Sequence, residues 1–193
     1  MTIRPNLLAL AGALLFSAHA YAQTSSWTID PAHSSVDFTI RHMGVSNVHG
    51  SFGNVKGAVQ LDEKNLPKST VSATIDTTTV STGVDARDKH LKSPDFFDVA
   101  KNPVITFQST AVTSNGGKLQ LLGNLTLNGV TKPVTLDLDG PAPAQKGSQG
   151  KTISGFSASG LIKRTDFNFG SKYNAPVLGD DVKFTVDIEM DKQ

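Results

Sequence analysis

Val182-Lys183-Phe184-Thr185-Val186-Asp187-Ile188-Glu189-Met190 places an apolar side chain at every second position. Successive side chains of a strand point to opposite faces, so this run has one apolar face and one charged or hydroxylated face. Working back toward the N-terminus, the same period recurs in Phe156, Ala158, Gly160 and Ile162, and in Val134, Leu136 and Leu138. It continues through Leu119, Leu121, Leu125 and Leu127 (with Gly123 between them), Ile105 and Phe107, and Val71, Ala73 and Ile75. Val55, Gly57, Val59 and Leu61 follow the rule, as do Val36, Phe38 and Ile40. Eight candidate strands result, each apolar on one face.

The turns between them point to antiparallel neighbours. Asn128-Gly129 suits a type I′ hairpin, which needs two consecutive positive φ angles. Asn115-Gly116-Gly117 is a second hairpin signal, and Lys64-Asn65-Leu66-Pro67 a longer connection. Pro141 to Gly150 reads as an irregular loop rich in proline, glycine, serine and glutamine. One segment departs from period two. Val84 to Lys92 predicts a short helix, supported by Asp85–Lys89 and Asp88–Lys92 at i,i+4 with the acid first. Ser93-Pro94-Asp95 resembles a second helix start, and Phe96-Phe97 follows at once. No domain boundary or internal repeat is visible.

Half-polar strands joined by tight turns must hide their edges, and closure into an up-and-down barrel removes the edges altogether. The expected architecture is therefore an all-β, eight-stranded antiparallel barrel with one short helical crossover. Its strands of about 9–11 residues would span roughly 30–36 Å. The apolar faces are expected to point inward. A membrane barrel with a lipid-facing exterior would carry aromatic girdles, and beyond residue 22 the chain has one Trp and one Tyr. An eight-stranded barrel either fills with side chains or holds one small ligand, and periodicity does not separate the two. Gly57, Ala73, Gly123, Ala158 and Gly160 on the inward faces suit either unfilled space or strand bending.

Composition narrows the function. The 193 residues carry 18 Lys and Arg against 17 Asp and Glu, so no basic stripe marks a nucleic-acid binder. The absence of cysteine excludes disulfides, thiolate metal sites and a thiol nucleophile. Arg4, the apolar run Leu7 to Ala18 and the small residues around Ala18 to Ala22 predict a secretory signal peptide over 1–22, with Ala20 the other cleavage position. The domain is then 23–193, in the periplasm. His33, His42, His49 and His90 show no HxH or HExxH spacing, and no metal site or cofactor is expected. Gly155-Phe156-Ser157-Ala158-Ser159 misses a nucleophile elbow by one position, so no catalytic residue is assigned. Two polar groups stand out, Asp85, Arg87 and Asp88 in the crossover and Lys163, Arg164 and Asp166 after the seventh strand. They read either as ion pairs closing the barrel ends or as donors for the polar head of a ligand.

Several stretches resemble the YceI-like family of periplasmic polyisoprenoid-binding and lipid-binding proteins. They are Ile29-Asp30-Pro31-Ala32-His33-Ser34, Ile40-Arg41-His42-Met43-Gly44-Val45, Gly50-Ser51-Phe52, Arg87-Asp88-Lys89-His90-Leu91 running on to Phe107, Gly123 to Val134, and Gly179-Asp180-Asp181-Val182. The resemblance implies an extended, lipocalin-like barrel around a hydrophobic tunnel. It implies as ligand a long-chain isoprenoid lipid, an isoprenoid quinone tail or a fatty amide or acid. It also implies a homodimer and no catalytic residues. Transient membrane contact is a separate expectation. On that reading the tunnel is lined by Phe38, Ile40, Val55, Val59, Ile75, Leu91, Phe96, Phe107, Leu121, Leu125, Phe156, Phe184 and Val186. Arg41, His42, His90 and Arg164 are the candidate head-group or rim contacts. Two other functions compete. One is a structural or stress-response interaction protein with a filled barrel, the other an enzyme acting on an isoprenoid quinone.

Overall fold

The structure, a computed structural model, describes residues 24–193; the expected signal peptide and its cleavage positions lie outside the described residues. In chain order the strands are β1 (Ser25–Ile29), β2 (Ser35–His42), β3 (Ser46–Phe52), β4 (Val55–Leu61), β5 (Thr70–Asp76), β6 (Val104–Asn115), β7 (Lys118–Leu127), β8 (Val130–Asp139), β9 (Gln145–Lys146), β10 (Thr152–Lys163) and β11 (Leu178–Lys192). Among the described residues one α-helix, α1 (Asp85–Leu91), lies between β5 and β6. All the pairings are antiparallel, and β10–β11 closes the ring β11–β1–β4–β5–β6–β7–β8–β10. That ring is the expected eight-stranded barrel.

Eleven strands fit eight positions because two strands are interrupted and one is an outlier. β2 continues β1 along the other half of β11, and β3 continues β4 beyond Gly53-Asn54. The sequence reading missed both partners. Ser25–Ile29 has only Trp27 and Ile29 as apolar residues, and Ser46–Phe52 is mostly polar and small. The β1–β2 break is spliced by local polar chemistry. Asp30 accepts from the Ala32 N–H at 2.9 Å and contacts His33 Nδ1 at 2.8 Å, while the Ser34 hydroxyl accepts the Glu189 N–H at 3.1 Å in place of a ladder bond. The Pro141–Gly150 segment is not wholly irregular. β9 pairs with β10, and Ala142 donates to the Gly155 carbonyl at 2.8 Å.

The hairpin chemistry is as read. Asn128 and Gly129 have φ of 51° and 74°, and Gly116 and Gly117 have 58° and 83°. The helix also forms, with Asp85 and Asp88 in its first turn and Lys89 and His90 in its last, the order its dipole favours. Its expected ion pairs do not. Asp88 accepts from the Thr82 N–H at 2.8 Å and from its hydroxyl instead, so the acid caps the preceding turn rather than meeting Lys92. Ser93-Pro94-Asp95 starts no second helix. The chain turns there so that Phe96 and Phe97 are both buried.

The barrel has two unlike ends. At one end Trp27 (1% exposed), Val59 (3%) and Met190 (0%) interlock with Leu61 and Val112 as a solid core. At the other, residues 77–103 cross over the rim between β3 and β6, and β3 is tied to the crossover by the isolated Ser51–Ser81 bridge. Arg164, also buried, anchors that rim. Its five N–H groups donate to the carbonyls of Gly179, Phe169, Gly170, Tyr173 and Leu178.

Candidate functional site

The alternation aims one residue in two of every strand at the barrel axis, and in the crossover half those side chains do not meet. They enclose a cavity of about 370 Å³. Ligand pockets commonly measure about 300–1,000 Å³. Of the lining expected from the sequence, Phe38, Ile40, Val55, Ile75, Leu91, Phe96, Phe107, Leu121, Leu125, Phe156, Phe184 and Val186 all face it. Val59 does not. It belongs to the solid end, where a separate space of about 30 Å³ remains between Val59, Leu61, Val71, Leu121, Phe156 and Met190.

The cavity stays open because of what stands opposite its phenylalanines. Phe38 pairs with Gly50, and Phe184 with Gly160. Phe107 lies diagonally across from Gly123 on the next strand. A Cβ added at Gly50 would sit 2.3 Å from the Phe38 Cζ, and one at Gly123 would sit 2.3 Å from the Phe107 Cζ. At Gly160 it would meet Leu136 at 2.7 Å and Phe184 at 3.1 Å. The rings therefore lie along the wall over bare backbone instead of projecting into the bore, a known way of covering strand glycines. Of the two readings the sequence left open for the inward glycines, unfilled space or strand bending, Gly123 and Gly160 serve the first.

The polar residues on the cavity wall gather at the crossover end. They are His42, Thr82, Arg87, His90, Tyr173 and Arg164. Arg87 donates through Nε to the Thr82 hydroxyl at 2.7 Å and through Nη2 to its carbonyl at 3.0 Å. His90 Nε2 lies 3.4 Å from Asp95 and 3.3 Å from the Tyr173 hydroxyl, and Lys172 also holds Asp95. Lys172 first, then His90, keeps the Asp95 carboxyl below the usual carboxylate range. This set joins the crossover to the loop after β10. Phe96 reinforces the joint by stacking on Tyr173, with centroids 5.3 Å apart and planes at 4°.

Two of the four expected rim residues do not offer free donors to the cavity. Arg164 lines the wall, but its five N–H groups already reach five carbonyls, so it is a staple for the rim. Arg41 is off the cavity wall and donates to the Gly44 carbonyl and the Asn47 side chain, both at 3.2 Å. Of the polar groups read as ion pairs closing the ends, Lys163 does form one, with Asp181 at 3.0 Å, whereas Arg87 and Asp88 both grip Thr82. Phe52, Phe97, Phe169 and Tyr173 were not foreseen on the wall. Phe52 had a period-two cue from Gly50, but Phe169 and Tyr173 sit in a loop where no period exists.

Asp30, His33 and Glu189 also converge, with ligand-type atoms within 4.8 Å of one another. They lie outside the cavity wall; His33 Nδ1 is hydrogen-bonded to Asp30 at 2.8 Å and lies 3.6 Å from Glu189. The Asp30 carboxylate, then Glu189, raises the His33 imidazole. The His33 side chain, then the Ala32 N–H, lowers Asp30.

A closed eight-stranded antiparallel barrel around an apolar cavity, plugged at one end and crossed by a short helix at the other, defines a lipocalin-like class. The match to a family model described as "YceI-like domain" runs over residues 27–190, and the chain belongs to the YceI-like family. It is 42% identical to protein YceI of Escherichia coli O6:H1 (strain CFT073) over 168 residues, 86% of this chain and 87% of that protein. The crystal structure of Burkholderia cenocepacia BcnA superposes with a TM-score of 0.73 at 25% identity, covering 83% of this chain and 98% of BcnA. A polyisoprenoid binding domain from Saccharophagus degradans, implicated in plant cell wall breakdown, shares the fold. Its TM-score is 0.65 at 15% identity, over 88% of this chain and 99% of that one.

Proposed function

We propose that this chain binds the long apolar tail of a lipid in the barrel cavity, as a periplasmic carrier or sequestering protein. The tail would be a polyisoprenoid, the isoprenoid chain of a quinone, or a fatty amide or acid. The observation that carries the reading is the set of Phe rings folded back onto glycines, which keeps about 370 Å³ of the core free of side chains. An empty apolar core forfeits packing and is destabilising unless something fills it. Membership of the YceI-like family and the shared fold of a polyisoprenoid binding domain support the same reading.

Binding by burial makes a clear demand. Each CH₂ taken from water contributes about 0.8 kcal/mol, so two more should tighten binding roughly tenfold until the cavity is full. Native mass spectrometry of protein secreted to the periplasm and purified without detergent, with organic extraction of the bound material, tests it. One long-chain lipid or quinone per chain is the expected result. A bare mass from folded protein that also refuses added prenyl alcohols would overturn it and favour the interaction protein. Phe107→Asp or Phe184→Asp should abolish retention, because a carboxylate is then placed against the apolar tail. Turnover of a bound quinone that is lost in His42→Ala would instead support the enzyme.

A further inference from the structure

Among the described residues, the exposed large hydrophobics are Met43, Val45, Val84, Val104, Leu161 and Val177. All belong to the crossover half of the barrel, and none lies at the Trp27 end. Three of them form one tip. Met43 and Val45 top the β2–β3 hairpin, and the Met43 N–H donates to the Val177 carbonyl at 3.1 Å. Val45 is 77% exposed. Val177 also lines the cavity, so the tip is continuous with its mouth.

The hairpin turn is built against local preference. Met43 has φ of 51° and Gly44 of 70°, and Val45 donates to the His42 carbonyl at 3.1 Å. Asn, Asp or Gly suits the first of these positions. The other non-glycine residues with positive φ among the described residues are Asn54, Asp98, Asn128 and Asn168. Met43 is the exception, and its side chain contributes apolar surface to solvent. The two loops that make the tip, residues 41–47 and 171–177, carry Arg41, His42 and Lys172 and no Asp or Glu. Lys172 is engaged by Asp95, whereas Arg41 is bonded only to a carbonyl and an amide.

We propose that the Met43–Val45–Val177 tip is a membrane-contact surface, which seats the cavity mouth on a bilayer bearing anionic headgroups. Arg41 meets the headgroups while the apolar side chains enter the interface, the usual combination for shallow membrane attachment. A two-fold dimer through the same tip would bring the two Arg41 cations together, which disfavours a second copy as the occupant. The inference rests on the lipid-tail reading, because it supplies that tail with a route from bilayer to cavity.

Co-sedimentation with vesicles of phosphatidylethanolamine and phosphatidylglycerol tests it, with phosphatidylcholine vesicles for comparison. The wild-type chain is expected to pellet preferentially with the anionic vesicles, and Val45→Asp to bind about tenfold more weakly or less. Met43→Asn separates docking from folding. It should weaken vesicle binding while leaving the melting temperature unchanged or higher, since Asn suits the turn. Equal partition of wild type and both variants overturns the proposal. So does a solution dimer that Val45→Asp dissociates without vesicle binding by either protein. Uptake of a prenyl alcohol from dilute ethanol is measured alongside. Wild type and Val45→Asp should take it up equally, and failure of the wild type here counts against the tail reading, not the docking one.

Discussion

Two halves of one barrel follow the same alternation and reach opposite ends. At the Trp27 end, Trp27 pairs with Val59, large side chain beside large, and only about 30 Å³ stays unfilled. In the crossover half, Phe38 pairs with Gly50 and Phe184 with Gly160, and the interior is hollow. The inward Phe38, Phe107, Phe156 and Phe184 are only partly buried, while Trp27 and Met190 are sealed. A glycine on the neighbouring strand, directly across from Phe38 and Phe184 and diagonal to Phe107, lets these rings cover the wall; the period of the strand does not decide it.

That contrast can be broken most directly by truncation. Trp27→Ala is expected to lose about 3–5 kcal/mol in chemical denaturation followed by circular dichroism, the usual cost of deleting a buried aromatic. Phe107→Ala should cost less, because the ring already borders empty space. Equal losses would mean that the halves are packed alike. Next in size is the rim. Arg164→Met strands five carbonyls and should cost about 3 kcal/mol. If Arg164 were instead a ligand contact, the variant would keep its stability and lose only lipid affinity.

Gly123→Ala sharpens the comparison further. The added methyl collides with the Phe107 ring, so overpacking should cost about 1–3 kcal/mol and push the ring into the bore. Prenyl alcohol uptake should fall, and the double variant Gly123→Ala with Phe107→Leu should recover it. No change in uptake would remove the glycines from the account of the cavity. The smallest effect lies on the outer wall. The raised His33 stabilises the fold fully below the ordinary imidazole value, and this is lost as pH rises through the raised one. The lowered Asp30 acts in the other sense: its contribution is present above the ordinary carboxylate value and lost as pH falls through the lowered one. His33→Gln should flatten the decline in melting temperature as pH rises above the ordinary imidazole value. An unchanged decline would assign it to other groups.

Much of the fold was legible because period two, Asn128-Gly129 and the charged 84–92 segment are local signals that the tertiary structure does not oppose. β1 and β3 were not legible. A five-residue strand and a mostly polar strand are held by their neighbours in the ladder rather than by their own pattern. The lining was legible along the strands for the same reason that it failed at Val59. Alternation tells which face a residue is on, not how far along the axis it lies. Arg164 misled because a cation near the mouth looks like a ligand contact until five carbonyls are found around it.

The sequence by itself determined an antiparallel barrel of eight apolar-faced strands with one helical crossover, since alternation and turn chemistry act over a few residues. Only the tertiary structure decided that one half is solid and the other hollow, that Arg164 is a staple, and that the exposed apolar residues share one end. Each of these depends on which residue stands across the ladder or closes around a loop, and such contacts join positions far apart in the chain.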